Sequence, residues 1–303
     1  MKIALGPLQY YWPRVQTLQF YEAARQWPVD IVYLGETVCS RRHELRLADW
    51  LEVADMLHDA GKEVVLSTQV LLESGVEMKT MYKVVENAQY AVEANDMGAV
   101  HRLNGRPFIA GPYLNVYSRP TLEIMARAGA TRWVMPLEMG RDGLTQLQQD
   151  RPEGMETEVF AYGRMPLAFS ARCFTARNRN LPKDNCQYVC MDHPDGLLMQ
   201  TKEAKDFLSI NGIQTQSAHV YTLVHELEVL RALGVDVVRL SPQSQHMEEV
   251  VDGFRSVLNR EDSALEVHAA LVPRMPAAPC NGYWHGRPGL DMILTAANMG
   301  AEA

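Results

Sequence analysis

The chain has 303 residues, 47% of them hydrophobic and 22% charged, and its formal net charge at pH 7 is −8. This length suits one (β/α) barrel, for which about 250 residues is typical, or two small domains, and an acidic chain without a run of Lys or Arg is not typical of nucleic-acid-binding proteins. The first residues do not resemble a signal peptide and no apolar run approaches the about 20 residues of a membrane span, so we expect a cytoplasmic protein.

Strand-like and helix-like patterns alternate along the sequence. The predicted strands are residues 2–6, 29–34, 63–67, 99–103, 108–110, 132–135, 156–162 and 235–240. The predicted helices are residues 14–27, 45–60, 79–94, 121–128, 143–149, 224–233 and 247–258. Segments 204–210 and 213–216 fit either pattern. This alternation favours a parallel sheet covered by helices, and we predict an α/β fold closed as a TIM-like (β/α) barrel.

Composition separates a barrel from a tail. We assign residues 1–272 to the barrel domain and place a cysteine loop within it at residues 173–190. Residues 273–303 are rich in Pro, Ala and Gly. We expect them to form an irregular C-terminal tail packed on the barrel.

Polar residues follow many of the predicted strands. They are Gln9, Glu36, Gln69, Asn104, Asn115, Glu138 and Gln243. Active sites of (β/α) barrels lie at the carboxyl ends of the strands. We therefore expect these residues at the functional rim of the barrel.

The strongest functional signal is a set of four cysteines. Cys173, Cys186 and Cys190 have the spacing C-x12-C-x3-C, and Cys39 follows the second predicted strand. The topology brings all four to one rim. Four converging thiolates are typical ligands of Zn²⁺ or of an iron–sulfur cluster. Zinc sites commonly pair two C-x2–4-C motifs, and the second pair is missing here, which favours a [4Fe–4S] cluster.

The remaining chemistry-bearing residues give weaker signals. Five cysteines, an odd number, do not suit a disulfide framework in a reducing compartment, and the isolated Cys280 is interpreted as a packing residue or a spare thiol. The sequence contains no G-x-S-x-G, P-loop, G-x-G-x-x-G or H-E-x-x-H motif, which argues against serine hydrolase, nucleotide and zinc-peptidase chemistry. No catalytic residue is assigned.

One long segment resembles the signature of a known family. Residues 158–173, Glu-Val-Phe-Ala-Tyr-Gly-Arg-Met-Pro-Leu-Ala-Phe-Ser-Ala-Arg-Cys, are similar to the signature of the collagenase-like peptidase family. Pro166 stands where that signature has its first cysteine, and Ala171 stands where it has a glycine. Segments 2–7, 217–221 and 233–242 resemble other parts of the same family, so the resemblance covers nearly the whole chain.

The departures from the signature imply a particular branch of that family. A lost first cysteine together with an added Cys39 is the pattern of the iron–sulfur subunit of oxygen-independent ubiquinone biosynthesis. The resemblance implies a [4Fe–4S] cluster on Cys39, Cys173, Cys186 and Cys190. It also implies a heterodimer with a paralogous barrel subunit, UbiU. The resemblance implies that the two subunits together hydroxylate the ubiquinone precursor ring without O₂. Two alternatives stay open: a collagenase-like peptidase with a structural metal, and a non-catalytic scaffold that carries a cluster.

Overall fold

A computed structural model of the chain describes residues 1–294. Its strands are β1 Lys2–Leu5, β2 Ile31–Leu34, β3 Glu63–Ser67, β4 Ala91–Ala94, β5 Phe108–Ala110, β6 Ala130–Val134, β7 Glu156–Phe169, β8 Leu197–Gln200, β9 Asp206–Asn211, β10 Gln214–Thr222, β11 Val237–Leu240 and β12 Pro279–Cys280. Its α-helices are α1 Arg14–Ala24, α2 Leu47–Asp59, α3 Gly75–Glu86, α4 Met97–Leu103, α5 Arg119–Arg127, α6 Arg141–Gln149, α7 Phe174–Asn178, α8 Leu227–Ala232, α9 Met247–Asn259 and α10 Ala264–Leu271.

Eight parallel strands close into a barrel with helices between them. Strands β1 to β7 pair in sequence order, and β11 closes the ring because it pairs with both β7 and β1. The short strands are buried on both faces, as expected for strands between a packed barrel interior and a helical layer. The prediction of an α/β TIM-like barrel is confirmed.

Charged side chains fill part of the barrel interior. Arg239 on β11 donates from Nε to Glu158 on β7 at 2.5 Å, and its Nη2 lies 2.8 Å from a carboxylate oxygen of Glu93 on β4. The Arg239 guanidinium also stacks over the ring of Tyr33 at 4.0 Å, and the hydroxyl of Tyr33 donates to Glu158 at 2.5 Å. Each buried charge in this group therefore faces an opposite charge.

The predicted helix over residues 79–94 is confirmed as far as Glu86 and is wrong beyond it. Helix α3 ends at Glu86 and residues 91–94 form β4. Asn87 ends the helix because its side chain accepts from the backbone of Gln89 and donates to the carbonyl of Tyr90. This local bonding turns the chain and competes with the helical hydrogen bonds.

The predicted strand over residues 99–103 is also wrong. These residues belong to α4, whose first turn is capped by Asp96 through a hydrogen bond from the backbone of Gly98. Asn104 follows this helix in the left-handed conformation. It therefore lies at the end of a helix and not at the carboxyl end of a strand, where the structure places Asn95 instead.

An antiparallel extension grows out of one barrel strand. Strand β7 has 14 residues and continues past the barrel, where it pairs with β10. Strands β9 and β8 add to β10 in turn, so the two segments of ambiguous pattern, 204–210 and 213–216, lie in strands β9 and β10. Strand β12 pairs with β10 and fastens the chain after residue 272 to this extension. Residues 295–303 of the predicted tail lie outside the described residues.

Candidate functional site

The four cysteines lie at the carboxyl end of the barrel, in two separate connections. Cys39 is in the connection from β2 to α2, and the other three are in the connection from β7 to β8. Cys39 packs with Val38 and Ile213, and Cys173 packs against this same cluster. Cys190 is near enough to Cys173 and Cys186 for a negative charge on either thiol to raise its pKa, in addition to the larger effect of burial. We call this group of four thiols the cysteine site.

The loop that carries Cys39 is shaped by a single carboxylate. Glu36 accepts hydrogen bonds from the backbone amides of Val38 and Cys39, both at 2.9 Å. Its carboxylate also lies 3.6 Å from Nη1 of Arg42. This loop therefore holds the buried Cys39 thiol in a fixed place beside a buried guanidinium.

The cysteine loop begins with Cys173 at the start of the short helix α7. The Sγ of Cys173 accepts from the backbone amide of Ala176 at 3.4 Å. Thr175 is buried and accepts from the amide of Gly212, which lies in the turn between β9 and β10. The extension sheet thus fixes the beginning of the cysteine loop.

Tight turns and surface ion pairs order the rest of the cysteine loop. Gln187 and Tyr188, between Cys186 and Cys190, have φ angles of 51° and 55°. Two successive left-handed residues reverse the chain sharply, which brings the second cysteine back toward the first. The side chain of Lys183 pairs with Glu73 and also donates to the carbonyl of Ala171 at 2.9 Å.

A second ion pair joins the connection that carries Cys39 to the cysteine loop. Arg41, two residues after Cys39, forms an ion pair with Asp184 and donates to its carbonyl at 3.2 Å. The ring of Tyr188 packs on that of Tyr11, at 5.7 Å between centroids. The loops after β1, β2 and β3 therefore all contact the cysteine loop.

Arg42 is the buried cation of the cysteine site. Its side chain is 2% exposed. It donates to the carbonyl of Gln9 at 2.7 Å and to the Oδ1 of Asn211 at 2.6 Å, and it interacts with the thiols of Cys39 and Cys190. Sequence analysis missed Arg42, although an arginine three residues after a candidate ligand was visible in the chain.

Burial dominates the protonation of the innermost thiols. It raises the pKa of Cys39 to about 11, against a smaller opposing effect of Arg42. Burial likewise raises the pKa of Cys190, again opposed by Arg42. Both thiols are thus protonated at neutral pH in the free protein, and binding of a metal or cluster must release their protons.

The four thiols of the cysteine site can be compared with what a zinc ion and a [4Fe–4S] cluster each require. Within residues 1–294, no three His, Cys, Asp or Glu side chains are arranged to hold a single metal ion. One zinc ion binds all its thiolates at about 2.3 Å, whereas a [4Fe–4S] cluster binds each thiolate through a different iron and so needs a wider spacing of sulfurs. Four thiols, two of them beside a buried cation, suit a group bound by thiolates, and this chemistry fits a [4Fe–4S] cluster or a zinc ion alike.

The barrel mouth itself offers little room. A cavity of about 10 Å³, which is space for roughly one water molecule, lies among Gly6, Gln9, Tyr113, Phe160 and Arg239. An aromatic substrate ring does not fit there. Of the polar residues predicted at the rim, Gln9 is buried and links this cavity to the cysteine site through Arg42.

The other rim residues make local contacts. Gln243 is buried and accepts from the hydroxyl of Tyr162 at 2.7 Å. Glu138 accepts from the hydroxyl of Tyr117 at 2.5 Å. Gln69 and Asn115 follow β3 and β5 at the same end of the barrel.

Cys280 lies apart from the cysteine site. It is fully buried in the main hydrophobic core, on β12 opposite Tyr221 of β10. Burial raises the pKa of its thiol to about 12. These surroundings match a packing residue.

Two further absences concern only the part of the chain that is described. No serine, threonine or cysteine side chain in residues 1–294 is hydrogen-bonded to a histidine ring, which is the pairing that activates a nucleophile in many hydrolases. In the same residues no helix is long and apolar enough to cross a bilayer.

Comparisons with known proteins place these features in a family. The model of peptidase family U32 matches residues 16–287. Among solved structures, the U32 peptidase Mk0906 is similar at 10% identity and a TM-score of 0.45, over 80% of this chain and 93% of that one.

Two glycoside hydrolases are similar at lower scores. A β-galactosidase from the Antarctic haloarchaeon Halorubrum lacusprofundi has 12% identity and a TM-score of 0.36, over 79% of this chain and 52% of that one. A GH18 chitinase from Pseudoalteromonas aurantia has 13% identity and a TM-score of 0.35, over 85% of this chain and all of that one. With TM-scores below 0.5, these structural likenesses carry no argument about function.

Proposed function

Because the chain belongs to peptidase family U32, we propose that it has the role of UbiV, the iron–sulfur subunit of oxygen-independent ubiquinone biosynthesis. In this role it carries one [4Fe–4S] cluster on Cys39, Cys173, Cys186 and Cys190. It acts in the cytoplasm as a heterodimer with the paralogous barrel UbiU, and the pair hydroxylates the ubiquinone precursor ring without O₂.

The observation that carries this proposal is the meeting of two cysteine-bearing connections that are far apart in sequence. Cys39 and Cys173 share one packed cluster, and Cys190 interacts with both other cysteines of its own connection. Packing alone does not account for four thiols from two connections at one end of the barrel, two of which, Cys39 and Cys190, interact with a buried guanidinium. Cys280, by contrast, shows what a packing cysteine in this protein looks like.

The residues around the thiols have definable tasks. Glu36 and Arg42 position the Cys39 loop, while Lys183 and Arg41 hold the cysteine loop against the barrel. A bound cluster supplies one-electron chemistry, and four protein thiolates leave no iron open as a Lewis acid. Electron transfer is therefore the task that suits this subunit, with the ring itself bound elsewhere, since the cavity of about 10 Å³ at the barrel mouth is too small for it.

A peptidase is the second candidate, because the family model that matches the chain is named for that activity. The two functions separate in one variant. A chain with all four cysteines of the cysteine site changed to serine should lose every function that depends on a cluster. Cleavage of a collagen peptide that survives in this variant would support the peptidase.

Deletion of the subunit tests the biological half of the proposal. Cells without it should fail to make ubiquinone only when oxygen is absent, since an O₂-dependent hydroxylation serves otherwise. Purified without air, the chain should elute with UbiU as one heterodimer and be inactive alone. Normal anaerobic ubiquinone in the deletion strain would overturn the proposal, and a heterodimer that never changes its oxidation state during turnover would make the subunit a scaffold.

A further inference from the structure

We propose that Arg42 is a positioning residue that places a fixed positive charge beside the thiolates of the cysteine site and thereby sets the reduction potential of the group they hold. This inference rests on the proposed function, because it concerns the bound cluster. It is independent of the partner and of the substrate. It assigns to one buried side chain a role that its packing alone does not explain.

The contacts of Arg42 leave it only partly neutralised. Its one carboxylate partner, Glu36, lies 3.6 Å away and is also engaged by two backbone amides. The other hydrogen bonds of Arg42 go to neutral oxygens on Gln9 and Asn211. Its buried Nε has no hydrogen-bond partner among the described residues. A buried cation with weak compensation is costly unless an anion lies beside it.

The thiols supply that anion once they are deprotonated. Arg42 interacts with both Cys190 and Cys39 through charge. Four thiolates on a [4Fe–4S] core with a charge of +2 give a unit of net charge −2, and reduction by one electron makes it −3. A cation in a buried place stabilises the more negative state more strongly. Charge and hydrogen bonds near the sulfurs are known determinants of cluster potential.

Arg42 also has a structural part, so its test must separate charge from scaffolding. Its guanidinium joins the loop after β1 to the end of β9. Space is tight there, because a Cβ on Gly212 would lie 3.0 Å from Nη2 of Arg42. Lysine keeps the charge but loses the planar fork, while glutamine keeps a hydrogen-bonding head and loses the charge.

Redox titration of the anaerobically reconstituted protein, followed by electron paramagnetic resonance, measures this effect. We expect Arg42→Gln to make reduction at least tenfold less favourable, a shift of about 59 mV to more negative potential for one electron. Arg42→Lys should stay within threefold of the unmodified chain. Arg172→Gln, which removes an exposed charge beside Cys173, is the matched control and should also stay within threefold.

A second variant, which should shift the reduction potential in the opposite direction, tests the proposal if Arg42→Gln does not fold. Glu36→Gln removes the negative charge that faces Arg42, and its amide oxygen can still accept from the backbone of Val38 and Cys39. It should shift the potential to more positive values, by a similar factor. Potentials unchanged in Glu36→Gln, or equal shifts in Arg42→Gln and Arg172→Gln, would overturn the role of Arg42. A chain without iron and sulfide would overturn the proposed function itself, and this inference with it.

Discussion

Two of the buried arginines of this protein, Arg239 and Arg42, lie in different regions and are neutralised differently. Inside the barrel, Arg239 lies against two carboxylates, with an oxygen of Glu158 at 2.5 Å and one of Glu93 at 2.8 Å. In the cysteine site, Arg42 has one carboxylate, at 3.6 Å, and neutral oxygens otherwise. The barrel interior is electrostatically complete, whereas the cysteine site is arranged to receive negative charge. The first arrangement serves stability, and we propose that the second serves a bound group.

The largest expected effect on the free energy of unfolding comes from removing Arg239 from its ion pairs with Glu158 and Glu93. Arg239→Met leaves Glu158 and Glu93 buried without their shared cation, and the loss of one partner from a buried ion pair costs about 3–5 kcal/mol. Urea unfolding should detect this as a lower free energy of unfolding. Arg260→Met, which removes an exposed partner of Glu228, should leave the unfolding curve unchanged. Similar curves for both variants would mean that the barrel network contributes nothing to stability.

Acid should weaken a different buried pair. The rings of His225 and His268 stack at 4.6 Å between centroids, and burial, assisted by His225, lowers the pKa of His268 from 6.5 to about 4. Between pH 6.5 and pH 4, His268 is therefore protonated in the unfolded chain and neutral in the folded chain. Stability is complete above pH 6.5 and decreases as the pH falls toward 4, by on the order of 3 kcal/mol.

The variant His268→Phe isolates this contribution. It keeps an aromatic ring in the stack and removes the titrating group. The free energy of unfolding, measured from pH 7 to pH 4, should fall less steeply in this variant than in the unmodified chain. Parallel pH curves would show that His268 is not responsible.

The smallest effect on stability is expected from the ties of the cysteine loop. Changing Lys183 to Ala removes an ion pair with Glu73 and a hydrogen bond to Ala171, both near the surface. Such a pair contributes about 1 kcal/mol or less to global unfolding. If air removes the proposed cluster, the loop loses that tether, and proteolysis within residues 174–185 should then become faster in Lys183→Ala.

Exposure to air without added mutations tests the same region. Solvent and O₂ would reach the proposed cluster at the rim, so colour should fade and the cysteine loop should become the first segment that proteases cut. Arg102→Ala, which breaks a surface pair with Glu86 far along the chain, should not alter the cleavage pattern. Cleavage elsewhere before the cysteine loop would contradict its dependence on the bound group.

The sequence was sufficient for the barrel because most of its strands are short runs buried on both faces. Strand β3 was predicted at its observed bounds, Glu63–Ser67. Strand β4 was missed because Ala91–Ala94 contains no β-branched residue except Val92, and a helix pattern ran through it. The turn at Asn87, which separates the two elements, depends on side-chain bonds to the backbone that periodicity does not reveal.

The placement of the four cysteines at one end of the barrel was predictable, and the residues around them were not. Topology alone brings the connections after β2 and β7 to one end of a barrel, so Cys39 could be grouped with the cysteine loop. The extension of β7 past the barrel was not predictable, because its partner strand β10 and the next strand, β9, are rich in polar residues. Arg42 was missed since its burial depends on Gln9 and Asn211, which are 33 and 169 residues away.

Iron and acid-labile sulfide analysis of protein purified without air tests the central claim most directly. The account predicts four iron and four sulfide per chain, lost in Cys39→Ser and in Cys186→Ser but retained in Cys280→Ser, the matched variant of the packing cysteine. Zinc in place of iron without sulfide, or full iron and sulfide in Cys39→Ser, would contradict it.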